Sequence, residues 1–479
     1  MSESLYSSRL LRTQQTHSRS LTQALDDLWA FTSESILQLS WFAVHTFARQ
    51  EIVRHVFIST GSLIVETVEG TLRFGSSEGS KLHGQFTVKS PTFWTRVAMF
   101  QDLGFAEAYM FGEIECEDMS AVLKIFIANR RELEALNHFW AKVLSRGRRL
   151  TTYRFFGDAS TAAANISAHY DLGNAMFAAF LSSDMNYSSA LFKDYNEDLY
   201  QSQDLLDSLE TAQYRKMEMI LAKANIQPGQ RVLEIGTGWG SLSILAATKV
   251  DCRIDTITLS AEQCSLAKKR IEEVGLTDRV TVHCMDFREA LLKSEWAGAF
   301  DRFISIEMVE NVGKDFISKY WEVVDWAMNR STAVGVVQII TVPEARIQKY
   351  DEGADFIQKW VFPGCYIPSV AFLVDTMNSG SRGQLTVDSI LNIGPHYART
   401  LREWKRNFLK NWDTIISVEL ARAYELSAFD LQVFKRKWIY YFDYCEAGFA
   451  TRTLGDHVIT FTRDGNADFG CAVGVDQVI

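Results

Sequence analysis

The segment RVLEIGTGWGS at 231–241 constrains this chain most, because an apolar strand runs straight into glycines at 236, 238 and 240. A strand-to-helix turn of this kind lets a ligand lie directly on backbone N–H groups, with no Cβ in its way. A dinucleotide turn reads G-x-G-x-x-G with an acid about 20 residues on; this one reads E-x-G-x-G-x-G. A carboxylate beside the cradle repels pyrophosphate, so Glu234 suits a cationic or zwitterionic ligand resting on Gly236 and Gly238. S-adenosylmethionine fits that description better than NAD. Glycines kept only for tight packing explain a bare pattern equally well, so the strand ends downstream must decide.

The chain has 479 residues, 47% of them hydrophobic and 12% aromatic, which is enough for two or three domains with sizeable cores. Its 7 cysteines show no C-x-x-C spacing, which argues against a zinc cluster or a disulfide framework and predicts a reduced, cytoplasmic setting. The apolar stretch at 36–48 is broken by Gln, Ser and His and is not expected to span a membrane. A net charge of −10 disfavours nucleic acid as a partner. Residues 1–20, rich in Ser and Arg, read as a flexible tail.

Residues 21–158 read as a smaller α+β domain: a helix over about 20–50, strands in VRHVFIS, LIVETV, TLRFG and GQFTVKS, then amphipathic helices. The polar, alanine-rich GDASTAAANISA marks the junction. From there to 479, strands and helices alternate through RVLEIG, RIDTITLS, RVTVHCMD, FDRFISIEMVE and VGVVQIITV. That rhythm predicts an α/β, doubly wound, Rossmann-like sheet whose ligands bind beyond the carboxyl ends of the strands. A helical, substrate-covering insertion is expected around 345–435.

The strand ends carry the candidate contacts. Thr258, Leu259 and Gln263 offer neutral groups where an acid often grips ribose. Asp286 is placed to accept from an adenine amino group, with Phe287 packing on the ring. In SIEMVENVG, Glu307 and Glu310 both reach the sheet's rim, and Glu310 is the preferred acid of the substrate crevice. Basic residues cluster at Lys142, Arg146, Arg148, Arg149 and Arg154. Others interleave with aromatics at Trp404, Lys405, Arg406, Phe408, Lys410 and Trp412. The second cluster is expected to seat a helix on an anionic lipid surface; its plainer alternative is a helix packed by its aromatics with a solvated basic rim.

With HYDLGN at 169–174, NYSSALF at 186–192, WVFPGCYIPSV at 360–370, GPHYARTL at 394–401 and YYFDYCEAGFATRTLG at 440–455, these motifs resemble the cyclopropane-fatty-acyl-phospholipid synthase family. The likeness runs in the family's order over nearly the whole chain, nearer the plant, fungal and actinobacterial branch, and implies an N-terminal lipid-binding-like domain before a methyltransferase domain.

The resemblance implies methyl transfer from S-adenosylmethionine to the double bond of an unsaturated phospholipid acyl chain, with ring closure, by a protein peripheral to a membrane. A homodimer stays open. Tyr170 and Tyr187 join the cofactor contacts. In the family the base is a bicarbonate held by a cysteine, an acid, a histidine, an isoleucine and a tyrosine. Carried over by position, Glu310, Ile340 and Tyr397 are kept, while Ser189 stands for the cysteine and Gln338 for the histidine. Neither replacement can become a cation as imidazole can, which puts bicarbonate in doubt. Cys445 matches a thiol lining the substrate site. Trp360, Phe362, Tyr366, Tyr397, Tyr440 and Tyr441 are candidate ring faces for a passing cation. A methylene or methyl branch, a small non-lipid substrate, and a non-catalytic lipid-binding protein are the alternatives.

Overall fold

The computed structural model describes residues 34–76, 79–133, 173–200, 207–424 and 426–470, with side chains from residue 44 onward. The N-terminal tail, the Lys142–Arg154 cluster, the 157–168 junction and Tyr170 lie outside the described residues. The chain divides into two units, Met1–Gly157 with Tyr424–Tyr440, and Asp158–Ala423 with Tyr441–Ile479. The segment 424–440, which the sequence places in the second domain, groups with the first unit.

In the first unit, β1 (Ser62–Thr67), β2 (Gly70–Gly75), β3 (His83–Val88) and β4 (Ile114–Glu115) form a sheet of order β2-β1-β3-β4. Leu63, Val65, Phe86 and Val88 alternate inward, as a half-buried sheet requires. The strand expected at VRHVFIS is absent. The helix Glu34–His55 continues through Val53 and closes on Arg54 and His55, basic residues that suit a helix C-terminus. Arg436 donates to the carbonyls of Tyr109 and Ile114, which fixes the 424–440 segment within this unit.

The second unit contains β5 (Arg231–Ile235), β6 (Arg253–Thr258), β7 (Val280–Cys284), β8 (Arg302–Ile306), β9 (Val334–Thr341), β10 (Leu385–Asn392) and β11 (Gly455–Arg463). They lie in the order β10-β11-β9-β8-β5-β6-β7. The five strands read from sequence, β5 to β9, are mutually parallel, and β11 runs antiparallel to both β9 and β10. Both faces are covered: Leu233, Phe303, Val337 and Phe461 join one core, and their neighbours Val232, Ile304, Val336 and Val458 join the other. The strand order reverses between β5 and β8, which makes the crevice at their carboxyl ends the switch point where such sheets bind ligands. β10 falls inside the stretch expected to be helical cover. It is an edge strand, largely open on its outer residues, and its sequence LTVDSILN lacks the apolar run of the inner strands. Among the described residues, no helix is long and apolar enough to cross a membrane.

Candidate active site

The glycine turn has the backbone its sequence predicts, with φ of 106°, 53° and 86° at Gly236, Gly238 and Gly240. Side-chain carbon added at Gly238 meets nothing within 4 Å. Glu234 is 4% exposed, and its Oε2 accepts from the Thr256 hydroxyl at 2.6 Å and from Ser243. Burial pushes its pKa up to about 7. Trp239, inside the turn, donates its indole N–H to Asn174 Oδ1 at 2.7 Å, joining two of the sequence motifs.

Around this turn, the Thr258 hydroxyl donates to Gln263 Oε1 at 2.9 Å, and Leu259 stands 66% exposed beside them. Asp286 caps the next helical turn, and both of its oxygens are engaged by Arg288. The Arg288 guanidinium holds its carboxyl below the usual range. Phe287, expected to pack on a base, is 8% exposed and meets Tyr320 edge-on at 5.5 Å in the core.

A carboxylate cluster forms at the rim of β8 and β9. Glu307 Oε1 accepts from the Ser189 backbone N–H and from Gln338 Nε2, both at 2.8 Å, and its Oε2 accepts from the Tyr397 hydroxyl at 2.7 Å. Glu310 Oε1 accepts from the Ile340 backbone N–H at 2.6 Å, while its Oε2 is buried without a partner. Gln338 Nε2 also donates to Asp456 Oδ2 at 2.8 Å. Burial raises all three acids; Glu310, with Glu307 as a like charge beside it, reaches about 8. For Glu307 the donors from Tyr397 and Ser189 and the nearby Lys216 oppose the rise. Lys216 is 1% exposed and donates to Ser188 Oγ at 2.7 Å; burial lowers its pKa against the pull of Glu307 and its neighbours.

The predicted residues Ser189, Gln338, Ile340, Glu310 and Tyr397 therefore do converge, but on two carboxylates of the chain itself. Ser189 contributes its backbone N–H, since its hydroxyl donates to the Ala190 carbonyl at 3.2 Å. Glu307, not the expected Glu310, gathers most of the donors, and Lys216 and Asp456 join the cluster beyond the residues the sequence pointed to. Lys216 carried a legible signal, because Gln213 and Lys216 interrupt the otherwise apolar buried stripe of the helix Leu209–Ala224.

Aromatic rings border the cluster. Tyr187 shares a hydrogen bond of 3.0 Å with the Tyr441 hydroxyl and packs against Trp404 at 5.1 Å and Phe362 at 6.3 Å. Tyr397 stacks on Phe449 at 4.4 Å. Tyr366 is tied by its N–H to the Glu310 carbonyl at 2.8 Å. Tyr440 instead packs within the first unit against Tyr109 at 6.0 Å. Burial holds the Cys445 thiol well above its ordinary pKa, so it is a neutral packing group.

The bilayer-seating role expected of the Trp404–Trp412 segment is overturned. Trp404 and Phe408 are fully buried and Trp412 is 2% exposed, because their spacing of four puts them on the inner face of the helix Gly394–Lys410 and its continuation. Lys405 pairs with Asp443 at 2.7 Å, and Arg406 pairs with Asp198 and Glu403.

A mostly parallel seven-stranded sheet, with a left-handed glycine turn at its switch point, defines an S-adenosylmethionine-dependent methyltransferase. The sequence profile of the mycolic acid cyclopropane synthetase family matches residues 158–458, and the chain belongs to that family. It is 34% identical over 366 residues to the tuberculostearic acid methyltransferase UfaA1 of Mycobacterium tuberculosis, covering 76% of this chain and 79% of that one. It is 32% identical over 394 residues to the cyclopropane-fatty-acyl-phospholipid synthase of Escherichia coli K12, covering 82% and 91%. The crystal structure of the mycolic acid cyclopropane synthase CmaA1 complexed with SAH and CTAB superposes with a TM-score of 0.51 at 23% identity, over 62% of this chain and 97% of that one, and supports the fold. The protein is thus a methyltransferase of a family that acts on lipid acyl chains, with S-adenosylmethionine as its cofactor.

Proposed function

We propose that this enzyme adds a methyl group to the double bond of an unsaturated phospholipid acyl chain and closes a cyclopropane ring. The observation that carries the reading is the carboxylate cluster centred on Glu307 and Glu310, set among buried rings at the same strand ends as the glycine turn. Gly236, Gly238, Thr258, Leu259, Gln263 and Tyr187 are the residues assigned to the cofactor, which supplies an electrophilic methyl. An alkene needs no base to begin. It needs apolar walls, ring faces that tolerate a passing positive charge, and one base near the added carbon. Tyr187 and Tyr397 supply rings, and burial keeps the Tyr397 phenol protonated, so it donates to Glu307. Reaching a chain in a bilayer implies peripheral membrane binding.

A methyl- or methylene-branched product is the second reading. It is favoured by Ser189 and Gln338, which replace the ligands expected of a cyclopropane synthase, and by the likeness to a tuberculostearic acid methyltransferase. Mass spectrometry of lipids from cells expressing the protein, fed methyl-labelled methionine and an oleoyl lipid, separates the two. A labelled ring supports the first reading and a labelled branch the second, whereas unlabelled lipid with intact cofactor binding rejects both.

A further inference from the structure

Glu307 stands in a backbone conformation that its residue type does not favour. Its φ is 47°, in the left-handed region, where a residue with a Cβ is strained and glycine is not. Strain of this kind persists where the surroundings hold it, and it gathers at functional sites. The holding groups are the Ser189 N–H, the Gln338 amide and the Tyr397 hydroxyl, all aimed at this one carboxylate. Glu307 is also half-buried, whereas Glu310 and Asp456 are buried.

A bicarbonate does not fit here. Three of the positions the family resemblance assigns to holding it are already donating to Glu307, and Ile340 donates to Glu310. A diffusible anion brought to these donors would also meet the Glu307 carboxylate they already hold, and like charges brought together in a buried site repel strongly.

We propose that the Glu307 carboxylate is this enzyme's built-in base and occupies the place of the bicarbonate. The inference rests on the acyl-chain reading above. Once one alkene carbon has bonded to the methyl, the other is a cation. A C–H bond of the added methyl then breaks, its electron pair closes the ring, and the proton passes to a Glu307 oxygen. The Ser189, Gln338 and Tyr397 donors favour the charged carboxylate against the opposing effect of burial and aim it beforehand. Glu310 has one donor and an orphaned oxygen, and is suited to remain protonated beside it.

The test uses the purified full-length protein, methyl-labelled S-adenosylmethionine and dioleoyl phospholipid vesicles, in buffer stripped of carbon dioxide and with bicarbonate restored. Wild-type turnover should change less than twofold between the two buffers. Glu307→Gln should lose at least a hundredfold in turnover while binding S-adenosylhomocysteine within about threefold of wild type. Glu307→Gly, which relieves the left-handed backbone, should fold and regain turnover only with added bicarbonate or formate. A readout independent of lipid is the NMR broadening of 13C-bicarbonate in the presence of S-adenosylhomocysteine, expected with Glu307→Gly and not with wild type. Bicarbonate binding by wild type, or Glu307→Gln turnover within twofold of wild type, overturns the proposal. Absence of wild-type turnover in both buffers rejects the phospholipid substrate instead, and the bicarbonate signal still decides whether Glu307 fills the anion's place.

Discussion

Glu310 turns one carboxylate oxygen to the amide N–H of Ile340, 2.6 Å away, and leaves its other oxygen buried without a partner. A charged carboxylate in that position loses most of the hydration it has in water and gains only one donor. Burial first, and the neighbouring Glu307 second, raise its pKa from 4.5 to about 8. The folded protein therefore holds this proton more tightly than the unfolded chain does. The stability linked to it is fully present below the unfolded value and is lost as pH rises through about 8. Glu310→Gln keeps the shape of the neutral acid and cannot ionise. Wild type should lose melting temperature between about pH 5 and pH 8.5, and the variant should lose distinctly less over the same window. Equal slopes in a calorimetric pH series would mean that Glu310 is already charged in the fold.

Gly238 and Gly240 separate ligand contact from packing. Both have left-handed backbones, at φ 53° and 86°, so alanine costs about 1–2 kcal/mol at either position. At Gly238 the added methyl meets no protein atom within 4 Å, whereas at Gly240 it meets Ala267 Cβ at 3.3 Å. Gly238→Ala should lower S-adenosylmethionine affinity about tenfold or more by titration calorimetry with only that small stability loss. Gly240→Ala should show mainly reduced stability. An unchanged Kd for Gly238→Ala would move the cofactor off this turn.

Much of this architecture was legible because it depends on local pattern. The runs VLEI, ITL and FISI are apolar enough to be parallel strands buried on both faces, and the glycines of EIGTGWG announce a left-handed turn. The site was legible at the level of segments and less so at the level of atoms. That Ser189 serves through its amide, and that Glu307 rather than Glu310 gathers the donors, depends on a φ of 47° that no residue type signals. β10 was missed because an edge strand alternates weakly. Trp404 was placed at a lipid surface because aromatic and basic spacing is the same for an interfacial helix and for a buried one with a charged rim.

Asp198, in the short helical turn Glu197–Leu199, ties the GPHYARTL helix to that turn. Its carboxylate accepts from Arg402 at 2.7 and 2.8 Å and from Arg406, and buried Arg399 lies 3.9 Å away while donating to Glu197 at 3.0 Å. Burial alone would raise the Asp198 pKa, but the Arg402 and Arg406 guanidiniums outweigh it and hold the pKa below 3.8. A depressed acid contributes stability that is present above its unfolded pKa and lost as pH falls through the folded one. Asp198→Ala removes the acid these arginines share, leaving Arg402 with Glu446, Arg406 with Glu403 and Arg399 with Glu197, and the lost charge-assisted hydrogen bonds should cost about 1.5–3 kcal/mol in urea unfolding at neutral pH. The difference from wild type should narrow below about pH 3. A cost under about 1 kcal/mol would show that these remaining partners suffice for the arginines.

Trp404 provides the sharpest test of how the basic, aromatic helix is used. It is fully buried, with ring centroids of Tyr187, Tyr397 and Phe180 at 5.1, 5.8 and 6.1 Å. Removing so large a side chain from a packed core leaves a cavity that its neighbours cannot close. Trp404→Ala should therefore cost about 3–5 kcal/mol of folding stability. Lys410 is exposed at the end of the same helix, and charge reversal there touches no packing. If the helix is a core element, Lys410→Glu should leave sedimentation with anionic vesicles unchanged. Loss of vesicle binding in both variants, with Trp404→Ala as stable as wild type, would return this helix to the bilayer surface. The packing of Trp404 against Tyr187 and Tyr397 argues instead that it braces the rings of the proposed reaction site, so a Trp404→Phe variant should retain the fold and lose turnover more than stability.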